Sequence, residues 1–165
     1  MKKIVFIYAL VICFSCRTES GVAVDYSLLP KNDTQHVVVD LSQIFTNQEK
    51  DALSQKIIDY EKKTTNEIAI LTVDAITPFN DISVYSSAIG NYWGVGKKEK
   101  DNGLVIVLRK NEKHIWLSTG NGTSRILTDS ICQDIITTTM IPYFKDSDYY
   151  LGLDKGLDAI MHKWN

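Results

Sequence analysis

The chain has 165 residues, of which 44% are hydrophobic and 23% are charged, which is the composition of one compact soluble domain. Its formal net charge of -2 provides no basic surface of the kind that binds nucleic acid, so we exclude that class of partner.

The first residues predict export. The chain begins with a methionine and two lysines, and residues 4–14 form an apolar run that is too short to span a bilayer. The small residue Ser15 precedes Cys16, which resembles a bacterial lipobox and predicts that Cys16 is lipidated. Ordinary signal cleavage and an uncleaved anchor are the alternatives. The predicted divisions are a lipoprotein-type signal peptide at 1–15, a tether at 16–34 and a folded domain at 35–165.

Apolar periodicity and capping residues predict the elements of the folded domain. In chain order they are a strand at 36–39, a helix at 47–63, a strand at 68–73, a helix from about 81 to 93, strands at 104–108 and 115–117, a helix from 128 that Pro142 ends, and a helix at 147–163. Cys132 falls on the third helix, where we expect it to be a small buried hydrophobe.

This order predicts a single α/β/α sandwich of three layers, Rossmann-like, with helices on both faces of a small mixed sheet. The first three strands are joined by helical crossovers and should be parallel. The fourth follows a short turn at residues 110–112 and should run antiparallel.

One polar loop combines residues that could carry chemistry. Lys100, Asp101, Asn102 and Gly103 place a carboxylate and a carboxamide beside a lysine and a glycine. Oxygen ligands suit a hard cation such as Ca²⁺ or Mg²⁺, and lysines suit phosphate oxygens. The alternative is an ordinary turn, because Asp, Asn and Gly all favour turns.

A second loop carries Gly120, Asn121 and Gly122, followed by Arg125. The glycines permit close approach of the backbone to a ligand, and Arg125 could hold a phosphate through two hydrogen bonds. The spacing matches neither the dinucleotide fingerprint nor the P-loop, so we predict neither.

Asp40 and Asp74 each follow a predicted strand, at the carboxyl ends where ligands collect in parallel sheets. Lys100 to Gly103 precedes its strand instead. A pocket shared by Asp101 with Asp40 or Asp74 therefore requires the third strand to be reversed, and the sequence leaves this open.

Several segments, taken in order, resemble the TPM domain family. They are Val38 to Asp40, Thr46 to Glu49, Glu67 to Ala69, Asp81, Trp93 to Gly96, Lys100 to Gly103, Thr119 to Gly122, Leu127 to Asp129, Ile141 to Phe144, and Asp148 with Tyr149. The resemblance covers the chain from His36 to its end.

The resemblance implies an exported α/β sandwich, often tethered to a membrane. Members are described as acid phosphatases or nucleotide phosphohydrolases, and some bind Ca²⁺ or another divalent ion. Thylakoid relatives are tied to photosystem repair. Other members carry a label as methanol dehydrogenase, which we reject because no quinone or nicotinamide site is evident in this sequence.

Our first hypothesis is a lipid-anchored phosphohydrolase facing the periplasm or the cell exterior, a monomer acting on a small phosphorylated substrate. Asp101, with Asp40 or Asp74, would hold a divalent ion that activates water. Asn102 would orient a ligand or the water. The proposed substrate-binding residues are Lys100, Gly103, Gly120, Asn121, Gly122 and Arg125.

The alternative is a membrane-tethered binding or assembly module that uses the same cleft without catalysis. Two departures from the family pattern motivate it. Ser124 stands where relatives usually have an acidic residue, and Asn121 stands where tyrosine is common. The sequence identifies no protein partner for such a module.

Overall fold

A computed structural model describes residues 24–165. The predicted signal peptide, Cys16 and the first part of the predicted tether lie outside the described residues. Between residues 24 and 165, no helix combines the length and the apolar character needed to cross a bilayer.

The four strands are β1 (Val38–Asp40), β2 (Glu67–Val73), β3 (Gly103–Arg109) and β4 (His114–Thr119). The helices are α1 (Asn47–Thr64), α2 (Ile82–Trp93), α3 (Asp129–Asp134), α4 (Ile141–Lys145) and α5 (Tyr149–Lys163), and short 3₁₀ turns occupy Tyr26–Leu28 and Thr123–Arg125.

The strands pair in their sequence order, β1-β2-β3-β4. The first three are parallel and β4 is antiparallel to β3, so the predicted mixed sheet is confirmed. Asp40 lies beside Thr72, whereas Glu67 lies beside Gly103. These two register pairs mark the carboxyl and amino ends of the parallel strands.

Both faces of the sheet are covered, as predicted. Helices α1, α3, α4 and α5 bury their apolar residues against one face, where Ile70 and Ile106 are fully buried. Helix α2 covers the other face, packing Tyr85 and Ile89 against residues such as Leu71. Strands β2 and β3 are buried on both sides, which explains their continuous apolar runs.

The first helix begins where its sequence predicts. The Thr46 hydroxyl accepts a hydrogen bond from the Glu49 amide at 3.2 Å, and the Glu49 carboxylate accepts one from the Thr46 amide at 2.8 Å. This reciprocal capping box satisfies two amides that the first turn of a helix leaves free. Gly94 ends α2 with a φ of 69°, also as predicted.

The predicted end of the third helix at Pro142 is wrong. Residues 135–140 widen into a π-helix between α3 and α4, and Pro142 lies in the first turn of α4. Proline has no amide to donate and its ring crowds the preceding turn of a regular α-helix, but the turn that precedes Pro142 is the wider π-helix. The chain therefore continues helically through the position where the sequence predicts a stop.

The predicted tether is not a free spacer over its described part. Leu29 is buried in the core beneath α2, and the Trp93 indole donates a hydrogen bond to the Pro30 carbonyl at 2.8 Å. The packed domain therefore begins before residue 35.

Candidate functional site

The direction of β3 decides which predicted residues can meet. Because β3 is parallel to β2, Asp101 precedes it at the amino ends of the strands, whereas Asp40 and Asp74 lie at the carboxyl ends. Strands of seven residues span about 20 Å. The predicted pocket shared by Asp101 with Asp40 or Asp74 is therefore wrong.

The two polar loops do meet, and we call residues 97–103 and 119–125 together the amino-end rim. The Gly120 amide donates to the Gly103 carbonyl at 2.9 Å, and the Gly122 amide donates to the Asp101 carbonyl at 3.1 Å. The Thr123 hydroxyl donates to the Gly103 carbonyl at 3.0 Å. These bonds join two segments that are distant in sequence into one rigid edge.

The glycines of the rim contact protein rather than open space. A Cβ on Gly120 would overlap the Asp101 carbonyl, and one on Gly122 would overlap the Lys100 carbonyl. A Cβ on Gly103 would overlap the Val95 carbonyl. The predicted ligand-binding role of these three glycines is therefore replaced by close packing of backbone on backbone. The amides of Gly120 and Gly122 are also engaged, so they are not free to bind the oxygens of a phosphate.

Asn102 organises the loop instead of facing a ligand. Its side chain is buried, with its oxygen accepting from the Lys97 amide at 2.9 Å and its nitrogen donating to the Thr65 carbonyl at 2.7 Å and to Asn66. The predicted catalytic role for Asn102 is therefore wrong, because the carboxamide has its partners within the fold.

Asp101 differs from Asn102, although the two are neighbours. Asp101 is exposed and has a φ of 47°, a left-handed conformation that aspartate tolerates better than most residues. Within the described part of the chain its backbone is hydrogen-bonded, but no hydrogen bond or ion pair engages its carboxylate. The rim therefore presents this carboxylate to solvent.

Cationic and polar side chains accompany Asp101. The Lys100 ammonium donates to the Thr65 hydroxyl at 2.9 Å and is exposed. Arg125 and Asn121 are exposed on the second loop. The Ser124 hydroxyl donates to the Asn121 carbonyl at 3.1 Å. The rim can therefore offer Lys100, Arg125 and Asp101 to a ligand, and Lys98 and Glu99 are exposed on the same loop as Lys100.

At the opposite end, the Asp40 carboxylate is occupied by the fold. It accepts hydrogen bonds from the amides of Ile44 at 3.2 Å and Phe45 at 3.0 Å, and from the Thr72 hydroxyl. These contacts shape the loop between β1 and α1, so the predicted catalytic and metal-binding roles of Asp40 are not supported. Asp74 is exposed nearby.

The donor groups do not fit the divalent ion that the resemblance implies. Ca²⁺ takes six to eight oxygen ligands, commonly with several carboxylates. Among residues 24–165, no group of three or more His, Cys, Asp or Glu side chains is placed to hold an ion. Asp101 is separated from Asp40 and Asp74, and the Asp101 carbonyl already accepts two amides.

A polar cleft of about 320 Å³ lies beside the rim, and the sequence analysis did not predict it. Its lining includes His36, Glu61, Glu67 and Lys97. Glu67 accepts a hydrogen bond from the Gly96 amide at 2.7 Å and pairs with Lys97, which also lies 3.6 Å from Glu61. The hydrogen bond and the charge of Glu67 raise the pKa of Lys97. No local motif signals this cleft, because its residues come from four separate segments.

Comparison with known proteins agrees with this fold. The family model described as the TPM domain matches residues 38–163. The solution structure of the N-terminal domain of a P. gingivalis protein is 25% identical, with a TM-score of 0.71 over 84% of this chain and 87% of that one.

Two further solution structures share the fold. The N-terminal domain of the cg2496 protein from Corynebacterium glutamicum is 14% identical, with a TM-score of 0.62 over 83% of this chain and 84% of that one. The BA42 protein from Bizionia argentinensis is 18% identical, with a TM-score of 0.64 over 76% of this chain and 88% of that one. No curated protein matches the chain.

Proposed function

Since this chain belongs to the TPM domain family, we propose that it has a phosphatase-like role in which phosphate esters bind at the amino-end rim. One observation carries the proposal. Hydrogen bonds between the two loops hold Asp101 exposed, with Lys100 beside it in sequence and Arg125 on the facing loop. A rigid rim with these charges is suited to a phosphate group, because the ligand does not have to order the loops.

The chemistry assigned to the rim is hydrolysis. Lys100 and Arg125 offset the negative charge of the phosphoryl oxygens, and arginine can do so through two parallel hydrogen bonds. Asp101 accepts a proton from water as the water oxygen bonds to phosphorus and the ester P–O bond breaks. The leaving oxygen takes a proton from solvent, so atoms and charge balance without a redox partner.

We assign no step to a divalent ion, because no group of three or more His, Cys, Asp or Glu side chains in residues 24–165 is placed to hold one. The Ca²⁺ or Mg²⁺ dependence implied by the family resemblance remains a prediction. The effect of each ion on phosphate release is measured by adding Ca²⁺, Mg²⁺ or EDTA to the assay.

A second candidate is a binding module without turnover. It is favoured by the engaged amides of Gly120 and Gly122, which leave the rim without a backbone cradle for the charge that develops in a phosphoryl transition state. Ser124, in the position where the family resemblance leads us to expect a carboxylate, favours it as well. Such a module would bind phosphate compounds through Lys100 and Arg125 and release them unchanged.

The test is phosphate release from p-nitrophenyl phosphate and from ATP by the full-length protein in detergent, with EDTA, Ca²⁺ or Mg²⁺. Asp101→Asn should lower kcat by about a hundredfold or more, the usual effect of removing a general base. Asp74→Asn is the matched control, because Asp74 is also exposed but lies at the other end of the sheet. Its activity should equal that of the unaltered protein.

If the unaltered protein releases no phosphate under any of these conditions, hydrolysis at the rim is wrong. ATP binding would then be measured by calorimetry. Binding that the Arg125→Ala variant loses and the Asp74→Asn variant keeps would establish the binding module. Absence of both turnover and binding would exclude both candidates.

We also propose that the protein is exported and held at a membrane by a lipid on Cys16. The support is the basic start, the apolar run and the small residue before Cys16. In cells fed labelled palmitate, the label should be incorporated into the full chain and into the Cys13→Ala control, but not into the Cys16→Ala variant. Equal labelling of the two variants would contradict the proposal.

A further inference from the structure

Helix α2 has an outer face without charge. Its sequence from Ile82 to Trp93 contains no lysine, arginine, aspartate or glutamate. Helices at a protein surface usually carry charged residues on the side that faces water, and α1 has them from Glu49 to Lys63. The exposed positions of α2 are occupied instead by uncharged side chains, among them Val84, Ser87, Asn91 and Tyr92. This composition suits a face that is covered better than one that is surrounded by water.

Apolar side chains of the segment before β1 extend this face. Tyr26 stacks on Tyr92, with the centroids of the two rings 5.7 Å apart. Leu28 and Val84 line the same cavity, which has a volume of about 410 Å³ and is largely apolar. Each of these four residues is between 37% and 51% exposed. The segment and the helix therefore form one continuous surface with large apolar side chains in contact with solvent.

Trp116 of β4 lies on the same side of the sheet. Side chains alternate between the two sides along a strand, so Trp116 points the same way as Ser118. The Ser118 hydroxyl lies 3.0 Å from the hydroxyl of Ser87 in α2, which identifies this side as the one that α2 covers. We call the exposed apolar residues on this side the α2 surface: Tyr26, Leu28, Val84, Tyr92 and Trp116.

The chain enters the folded domain at the α2 surface. Val24, the first residue that the structure describes, lines the same cavity as Leu28 and Val84. Seven residues separate Val24 from Cys16. An extended chain advances by about 3.5 Å per residue, so the distance from Cys16 to Val24 is about 28 Å at most. A lipid on Cys16 therefore keeps the α2 surface close to the bilayer.

The residue types of the α2 surface fit the boundary between a bilayer and water. Tyrosine and tryptophan concentrate at that boundary, because their rings are apolar and each carries one polar group. The carboxylates of Asp25 and Asp81 also line the cavity and are exposed, and they would repel anionic lipids. They complement the ammonium group of a zwitterionic headgroup. The surface that fits is therefore a zwitterionic bilayer.

We propose that the α2 surface lies against the bilayer that holds the lipid of Cys16, with Tyr26, Tyr92 and Trp116 at the level of the headgroups. The inference rests on the proposed lipid at Cys16, and it adds a fixed orientation to that anchor. Because α2 covers one side of the sheet, docking through this side leaves both ends of the strands open to solvent. The amino-end rim would then remain accessible to soluble phosphate compounds.

The test uses the full-length protein, purified from membranes in detergent and returned to vesicles of phosphatidylcholine. Phosphatidylcholine with brominated acyl chains quenches the fluorescence of a tryptophan that contacts it. Trp116 is 36% exposed and serves as the reporter, whereas Trp164 is buried. We expect the brominated lipid to lower the fluorescence of the unaltered protein. The Trp116→Phe variant should lose most of that quenching.

A charge in the α2 surface should separate the domain from the bilayer. Val84→Asp should lose most of the quenching, because a carboxylate at the contact opposes entry into an apolar environment. Ile126→Asp is the matched control. Ile126 is 46% exposed and Val84 is 41% exposed, but Ile126 follows the second loop of the amino-end rim. The control should be quenched as strongly as the unaltered protein. Flotation with the vesicles measures the lipid anchor independently of docking.

The outcomes distinguish the docking from the anchor. Protein that floats with the vesicles but is not quenched, or is quenched equally in Val84→Asp and Ile126→Asp, would overturn the docking and leave the anchor intact. Protein that carries no lipid and does not float would overturn both. A dimer in detergent that Val84→Asp converts to monomers would also overturn the docking, because a second copy would then cover the α2 surface.

Discussion

The two ends of the parallel sheet use the same residue type in opposite ways. At the carboxyl end, the Asp40 carboxylate accepts hydrogen bonds from two backbone amides and a threonine hydroxyl. At the amino end, the backbone of Asp101 is hydrogen-bonded while its carboxylate is exposed. The carboxylate of Asp40 therefore contributes to folding, and that of Asp101 is available to a ligand.

The difference extends to the neighbours of each aspartate. Around Asp101 the glycines and Asn102 serve the fold, so the side chains left for function are few and charged. A polar motif can thus be mostly structural and still place one functional group. Three predictions test this division, beginning with the group expected to matter most to the fold.

Gly122→Ala should have the largest effect on stability. The added Cβ would overlap the Lys100 carbonyl oxygen, a backbone atom that cannot move without displacing the facing loop. We expect a loss of about 3 kcal/mol or more in the free energy of unfolding, at the upper end of what overpacking costs. Urea unfolding followed by circular dichroism measures it.

Gly94→Ala is the control for this glycine. Gly94 also has a positive φ, of 69°, but a Cβ there would meet nothing within 4 Å. Only the left-handed backbone is then penalised, at about 1 kcal/mol. Equal losses in the two variants would mean that close packing of the two loops does not stabilise the rim.

Asp40→Ala should be the next most damaging change. It removes the acceptor for the Ile44 and Phe45 amides and for the Thr72 hydroxyl, which is buried. Hydrogen bonds to charged groups contribute about 1.5 to 3 kcal/mol, so we expect a destabilisation of about 2 to 3 kcal/mol in the same unfolding measurement. Asp74→Ala, at the same end of the sheet, should change stability by less than about 0.5 kcal/mol. A small effect of Asp40→Ala would return Asp40 to the candidates for ligand binding.

Local signals predict much of this fold. The capping box of Thr46 and Glu49 and the apolar stripe after it fix the start of α1, because all the interacting groups lie within a few residues. The continuous apolar runs of β2 and β3 likewise indicate strands buried on both faces. The passage of the helix through Pro142 was not predictable in this way, because the π-helix before it depends on packing against α5.

The site required information that no local pattern contains. The sequence places Asp101 before a strand and Asp40 after one, but the direction of β3 decides whether they meet. Sequence spacing also cannot distinguish a glycine that admits a ligand from one that admits another backbone. Gly120 and Gly122 belong to the second kind, since the carbonyls of Asp101 and Lys100 fill the space beside them.

Asp101→Gly should have the smallest effect on stability, and it should separate the contribution of Asp101 to the fold from its contribution to function most clearly. The backbone at a φ of 47° suits glycine, so removing the side chain relieves a conformational cost. The greater freedom of glycine in the unfolded chain offsets part of that gain in stability. We expect the free energy of unfolding to be unchanged or to rise by up to about 1 kcal/mol, while phosphate release falls as in Asp101→Asn. Urea unfolding and the phosphate assay on the same preparation measure both quantities. A marked loss of stability would show that the carboxylate serves the fold, as that of Asp40 does, and would remove the contrast between the two ends of the sheet.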